Sequence, residues 1–345
     1  MIKPQTRRAG DIAPVPYPAL VADIGGTNVR FAVLMDAHST PREFATIQTG
    51  KYESLSEAAT VNVLDTTSVM PRSLLLALAG PVHAGPSKLT NADWVIDPET
   101  LLQDLNLETV ITFNDFEALS LSLPALRYDQ MMQVGGGAPQ SRHPRVVLGP
   151  GTGLGVAALM FGDQRFRPVA GEGGHISFGP ETARDFAIWP HIEKTEDRVT
   201  GETILSGDGL ARIYRAVASA EGKDGSDCRK GEEVTSRADA GDPLAHEAIG
   251  LFLTYLGRLA GDLALLFLPK GGVYVAGGIA PRLTERFAAS GFRAAFEAKH
   301  PHTAMLKEIP TFVVTEPRPA LAGLAAFAIM PERFAVDLAG RRFEG

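Results

Sequence analysis

The sequence predicts an α/β protein built as two lobes, and three observations carry that reading. Short β-branched and apolar runs alternate with helical patterns along the chain. A strand–Gly–Thr–strand unit occurs twice, in VADIGGTNVRFAVL and in VVLGPGTGLGVAAL. The length of 345 residues also exceeds the usual size of one domain. Superposing Gly26-Thr27 on Gly151-Thr152 brings Ala32 onto Ala157 and Leu34 onto Leu159, as a duplicated core would.

The elements come in order. Prolines break the opening segment before any apolar run, so it is no signal peptide and reads as a loose extension over residues 1–17. From Leu20 the text gives strand, Gly25-Gly26 turn, strand. The run from Ser73 to Ala79 is uniformly apolar up to Gly80, which suits a buried strand of a parallel sheet. KLTNADWVID is a loop entering another short strand. Val110–Phe113 is a further strand, and Phe116, Leu119 and Leu123 mark a helix that stops at Pro124. Asn114 and Asp115 therefore sit at a strand-to-helix junction, where open α/β sheets present ligand groups.

After the loop GGGAPQSRHP comes the second hairpin. From Gly201 to about Leu268 the pattern is helical, ending in an apolar helix from Pro243. Arg258 and Asp262 interrupt that helix, which predicts a buried amphipathic helix and no membrane span. GGVYVAGGIAPRL and TFVVTEPRPALAGLAAFAIM each give a strand and a helix.

Composition narrows the function classes. With 45% hydrophobic and 21% charged residues, 36 Gly and 24 Pro, the chain is an ordinary globular one. Its net charge of −7 argues against nucleic acid as a partner. The single cysteine, Cys228, rules out an internal disulfide framework and a cysteine-based zinc site, and fits a reducing cytoplasm.

Standard phosphate motifs are missing. Gly50-Lys51 and Gly222-Lys223 lack the rest of a P-loop, and Leu154 and Val156 spoil a dinucleotide fingerprint in GPGTGLG. There remain two Gly-Thr turns able to aim N–H groups and a hydroxyl at phosphates, alongside their reading as plain β-turns. Asp23, ending an apolar strand, is a candidate Mg²⁺ ligand, directly or through water. Asp115 is the candidate base for an acceptor hydroxyl, or else a helix cap with Asn114. Glu172, His175 and Glu202 make a set suited to a polyol, or else a hydrogen-bonded loop and an early-turn acid. Asn91 is a sugar-facing amide or a turn former.

In order along the chain, VADIGGTNVRFAVL, LTNADW, TFNDFEAL, LGPGTGLGVA, GEGGH, GETILSG and GGVYVAGGIAPR resemble the motifs of bacterial glucokinases, from about Leu20 to Met330. The resemblance implies a two-lobed ribonuclease-H-like, actin-type ATPase (hexokinase) fold with the active site in the interlobe cleft. Residues 18–125 with 316–345 would form the small lobe and 126–315 the large one. It implies ATP-dependent phosphorylation of glucose with Mg²⁺ and no zinc, Asp115 acting as base on the 6-hydroxyl. Asn91, Asn114, Glu172, His175 and Glu202 would bind the sugar with it. Ala22, Asp23, Ile24, Gly25, Gly26, Thr27, Gly151, Thr152 and Gly153 would hold the phosphates and metal. A cytoplasmic homodimer is expected from the resemblance alone. The competing readings are a non-catalytic sugar sensor and another phosphotransferase of the same superfamily. The segment PERFAVDLAGRRFEG has no role in any of them.

Overall fold

The computed structural model describes residues 13–80, 82, 85–88 and 94–345. The chain forms two compact units, one of Met1–Leu126, Leu159–Ala170 and Pro317–Gly345, the other of Arg127–Ala158 and Gly171–Glu316.

Strands β1 (Ala19–Ile24) and β2 (Asn28–Leu34) make the first predicted hairpin, and the short β3 (Arg42–Glu43) and β4 (Ile47–Gln48) come after it. Helix α1 (Leu55–Ala59) runs through a π-helical stretch, Thr60–Leu64, into α2 (Asp65–Thr67). Next come β5 (Ser73–Leu78), β6 (Ser87–Lys88), β7 (Val95–Ile96), α3 (Pro98–Asp104), β8 (Thr109–Asn114) and α4 (Asp115–Ser122). Four strands succeed them: β9 (Met131–Gly135), β10 (Arg145–Pro150), β11 (Leu154–Gly162) and β12 (Arg165–Gly171). Helix α5 (Ala183–Ile188) precedes the predicted helical stretch, which contains α6 (Gly201–Ile204), α7 (Gly207–Ala220), α8 (Gly231–Asp239) and α9 (Pro243–Phe267). Then come β13 (Val273–Val275), α10 (Thr284–Phe287), α11 (Phe292–Glu297) and α12 (Thr303–Glu308). The last elements are β14 (Thr311–Val314), α13 (Pro319–Ile329) and β15 (Arg342–Glu344).

In the first unit the sheet order is β15-β8-β5-β1-β2-β3, with β4 also on β2. β1, β5 and β8 run parallel, and their registers put Ile24 beside Leu78 and Leu78 beside Asn114. β5 is buried along its whole length, as expected for a strand covered on both faces. Helix α13, apolar all round with Pro319 at its start, packs against α4. The approach is close enough that a Cβ on Gly323 would overlap the Ala118 carbonyl, so only glycine fits there. At its described residues, 13–17, the expected extension is held in place. Val15 is buried, Ser73 Oγ donates to Pro16 O at 2.6 Å and Arg342 Nη1 donates to Ala13 O at 2.8 Å.

The second sheet has the order β12-β11-β10-β13-β14-β9, with β10, β13 and β14 parallel and β9 antiparallel to β14. Helix α9 begins at an Asp242 cap followed by Pro243 and ends at Leu268 in the left-handed conformation. It is long and apolar enough to cross a membrane, but most of it is buried, and it packs on α7, α8 and α11. It is the buried helix the sequence predicts. Its Arg258 is inside the unit, donating to Asp185 Oδ2 at 2.5 Å, while Tyr255 donates to Asp185 Oδ1 at 3.0 Å. Burial pushes the Asp185 carboxyl up. The N–H groups of Glu181 and Thr182 and the Arg258 guanidinium more than reverse this and leave it below the usual range.

Candidate active site

In the first unit, three adjacent parallel strands end level with one another, and the candidate residues sit just past those ends. β1 leads into the Gly25 turn, β5 into Gly80, and β8 into Asp115. Neighbouring strands lie about 4.8 Å apart, so the turn after β1 and Asp115 after β8 are separated by roughly 10 Å. This is the carboxyl edge at which open α/β sheets bind ligands.

The hairpin closes through Gly25 N–H donating to Asn28 O at 2.9 Å. Buried Thr49 backs the tip: its N–H donates to Thr27 O at 3.0 Å and its hydroxyl to Gly26 O at 3.3 Å. With both tip carbonyls engaged, Gly26 and Thr27 offer a ligand donor groups, the polarity a phosphate needs. Ala22 and Ile24 are fully buried strand residues that flank Asp23. Asp23 lies opposite Arg30 across the hairpin, and Arg30 Nη1 donates to its Oδ2 at 3.0 Å. Burial pushes the Asp23 carboxyl up, and Arg30 only partly opposes it. A partly buried carboxylate held against its own desolvation is a group that a cation would relieve.

Asn114 is the cap of α4. Its Oδ1 accepts from Phe116 N at 3.0 Å and Glu117 N at 3.1 Å, and its Nδ2 donates to Gly80 O at 3.0 Å. Asp115 is the first helical residue, half-buried, with Oδ1 accepting from Phe116 N at 2.9 Å. Asn114 thus caps the helix, and Asp115 follows it at the sheet edge. Asn91, the remaining sugar-facing candidate, lies outside the described residues.

The other candidates belong to the second unit, around the turn after β10. Gly151 N–H donates to Gly153 O at 2.8 Å, Gly207 N–H to Gly151 O at 2.9 Å and Ile279 N–H to Pro150 O at 3.2 Å. The N-terminus of α7, capped by Ser206, therefore abuts the turn and adds a positive dipole end. A Cβ at Gly151 would meet nothing within 4 Å, and at Gly25 only Asn28 O at 3.5 Å. Packing does not demand glycine at either place. Gly153 is different, since a Cβ there would run into the Glu202 carboxylate.

Glu202, early in α6, accepts from Leu154 N at 2.9 Å, so this sugar-binding candidate also pins the turn carrying Thr152. Gly201 N–H donates to Ile176 O at 3.0 Å, which seats α6 against the loop of Glu172 and His175. Those two face solvent, with side chains 72% and 54% exposed and His175 Nε2 3.7 Å from Glu172 Oε2. Arg198 Nη2 holds their loop through His175 O and Ser177 Oγ, both at 3.1 Å.

Sequence reasoning missed the supports: Thr49, Arg30, the α7 cap, and the pair Glu117–Arg341, in which Arg341 donates 2.6 and 3.1 Å bonds to both carboxylate oxygens. The Glu117 role was readable, because Asn-x-x-Glu before an apolar run is a capping-box pattern. Thr49 and Arg341 carry no local signal.

Residues 20–330 match the family described as Glucokinase. A glucokinase of Rhizobium meliloti is 49% identical over 95% of this chain and 97% of that protein. Among solved structures, a glucokinase from an Antarctic psychrotroph superposes with a TM-score of 0.82 at 31% identity, over 89% of this chain and 97% of that one. A Balamuthia mandrillaris glucokinase in complex with glucose superposes at 0.74 and 23% identity, over 90% of this chain and 93% of that one. These matches give the α/β, actin-type sugar-kinase fold that the sequence predicts.

Proposed function

Because the chain belongs to the glucokinase family, we propose that its phosphorylation of glucose by ATP uses Asp115 to take the proton of the sugar's 6-hydroxyl. The chain is a phosphotransferase, converting D-glucose and ATP to glucose 6-phosphate and ADP. Asp115 accepts the proton, the freed oxygen bonds to the γ-phosphorus, and the bond to the β,γ-bridging oxygen breaks. The observation that supports this reading is the shared register of β1, β5 and β8, which starts the Gly25 turn and the Asp115 helix at one sheet edge. A carboxylate in this role contributes about 10²–10⁴ in rate.

Asp23 is the residue that would hold Mg²⁺, through water or directly. A partly buried carboxylate beside a donor-rich turn suits a cation that shares its shell with ATP oxygens. The bound ion would neutralise charge building up on the phosphates. The two Gly-Thr turns bind the phosphates, while Asn91, Asn114, Glu172, His175 and Glu202 bind the sugar. The family resemblance supports a cytoplasmic homodimer feeding glycolysis, and sedimentation velocity showing only monomer at micromolar concentration would refute the dimer.

The decisive measurement is ADP formation from Mg-ATP across a panel of hexoses, with Asp115→Ala alongside. Glucose-dependent turnover giving a 6-phosphate, lost in the variant while glucose still binds, is expected. Equal turnover in the variant would remove Asp115 from its role.

A further inference from the structure

We infer that Arg341 is a positioning residue for phosphoryl transfer, acting from the C-terminal segment through Glu117 on the first turn of α4. The inference rests on Asp115 being the proton acceptor. Glu117 is 5% exposed, and both of its carboxylate oxygens are taken by the Arg341 guanidinium, Nη1 to Oε2 at 2.6 Å and Nη2 to Oε1 at 3.1 Å. The same Oε2 accepts from Asn114 N at 3.3 Å, which completes the capping box at the helix start. Arg341 also lies 5.8 Å over the Phe113 ring, accepts from Thr112 N at 3.0 Å through its carbonyl, and donates through Nε to Asp337 O at 2.8 Å. One residue thus touches the strand before Asp115 and the helix after it.

The physical argument turns on the strengths of such a pair. A buried ion pair adds little net stability compared with apolar side chains of the same volume, but a two-point fork fixes direction. The first turn of a helix has orphan N–H groups and frays unless capped. Asp115 sits in that turn, and its carboxyl direction depends on the turn being closed. Arg341 holds Glu117 in the rotamer that closes it. The C-terminal RRFEG, to which no sequence motif assigns a role, thereby acquires one. β15 lays it along β8 in the register Arg342 to Ile111, which brings Arg341 to Glu117.

Steady-state kinetics and thermal melts on Arg341→Met, Arg341→Lys and Glu117→Gln, beside Asp115→Ala, test this. Arg341→Met is expected to lower kcat about 10- to 100-fold while the KM for ATP stays within about twofold. Arg341→Lys should recover part of that loss, since it restores the charge without the fork. Glu117→Gln, still able to close the capping box, should lose less than Arg341→Met. A folded Arg341→Met with wild-type kcat, beside an inactive Asp115→Ala, overturns this inference alone. So do losses in the three variants that follow melting temperature and nothing else. Turnover surviving in Asp115→Ala overturns the base assignment and this inference with it.

Discussion

The two turns share a Gly-Thr pair and differ in what supports them. Among the described residues, the first is backed chiefly by Thr49, which reaches the two tip carbonyls. The second is gripped by the Glu202 carboxylate, the start of α7 and the backbone of Ile279. The superposition that aligns Gly26 with Gly151 also puts Asp23 on Leu148, so the first copy carries a carboxylate within its own hairpin, while the second turn meets one from α6, Glu202. A repeat of this kind preserves the turn and leaves its supports free to diverge. In the proposed function the cation therefore falls to Asp23 of the first unit, whereas the second turn is the one tied by more partners.

The sharpest way to break that division is Asp23→Asn. It should cost about 10²–10³ in kcat/KM, the usual effect of losing one charge-stabilising group. The same change tests the burial argument through pH. Folding raises the Asp23 pKa, so this residue's stabilising contribution is full below its unfolded pKa and is lost as pH rises through the folded value. Asp23→Asn should accordingly melt higher than wild type at pH 7, and the gain should shrink as pH falls towards 4. Equal melting at both values would show that Arg30 cancels the cost of burial.

Next in size is a pair of glycine changes in the second turn. Gly153→Ala pushes against Glu202 and should lower kcat/KM about 10- to 100-fold by displacing the turn. Gly151→Ala has open space in front of it, so its melting temperature should stay at the wild-type value while the KM for ATP rises. An unchanged KM would mean that no phosphate approaches there. The smallest expected effect is at the first turn. Thr49→Val keeps the N–H bond to Thr27 O and removes the hydroxyl bond to Gly26 O, a loss of about 1 kcal/mol in stability by denaturant unfolding.

Local patterns made the strands, the long helices and the turns readable. β5 announces itself as an unbroken apolar run, and α9 by its Pro243 start and 3.6-residue spacing. Asp23, Asp115 and the turn glycines stand out as candidates because each lies at the end of an element. The sequence could not say that Asn114 caps while Asp115 stays at the sheet edge, because both residues cap helices well and the choice depends on where β8 stops. Nor could it show that Glu202 ties the second turn, since the bond to Leu154 spans 48 positions. β15 escaped notice because three residues carry no periodicity, and their pairing with β8 is set entirely by tertiary contact.

The first unit is discontinuous in the chain, and that has a kinetic consequence. Glu117 and Arg341 are 224 positions apart, and closing a loop of that length costs about 5 kcal/mol in chain entropy before any contact repays it. The residues that brace the α4 turn are therefore late to meet during refolding. Helical signal should recover early, driven by the local contacts of the stretch from Gly201 to Phe267. Phosphoryl transfer should return as a separate, slower phase, once α13 and β15 have docked on α4 and β8.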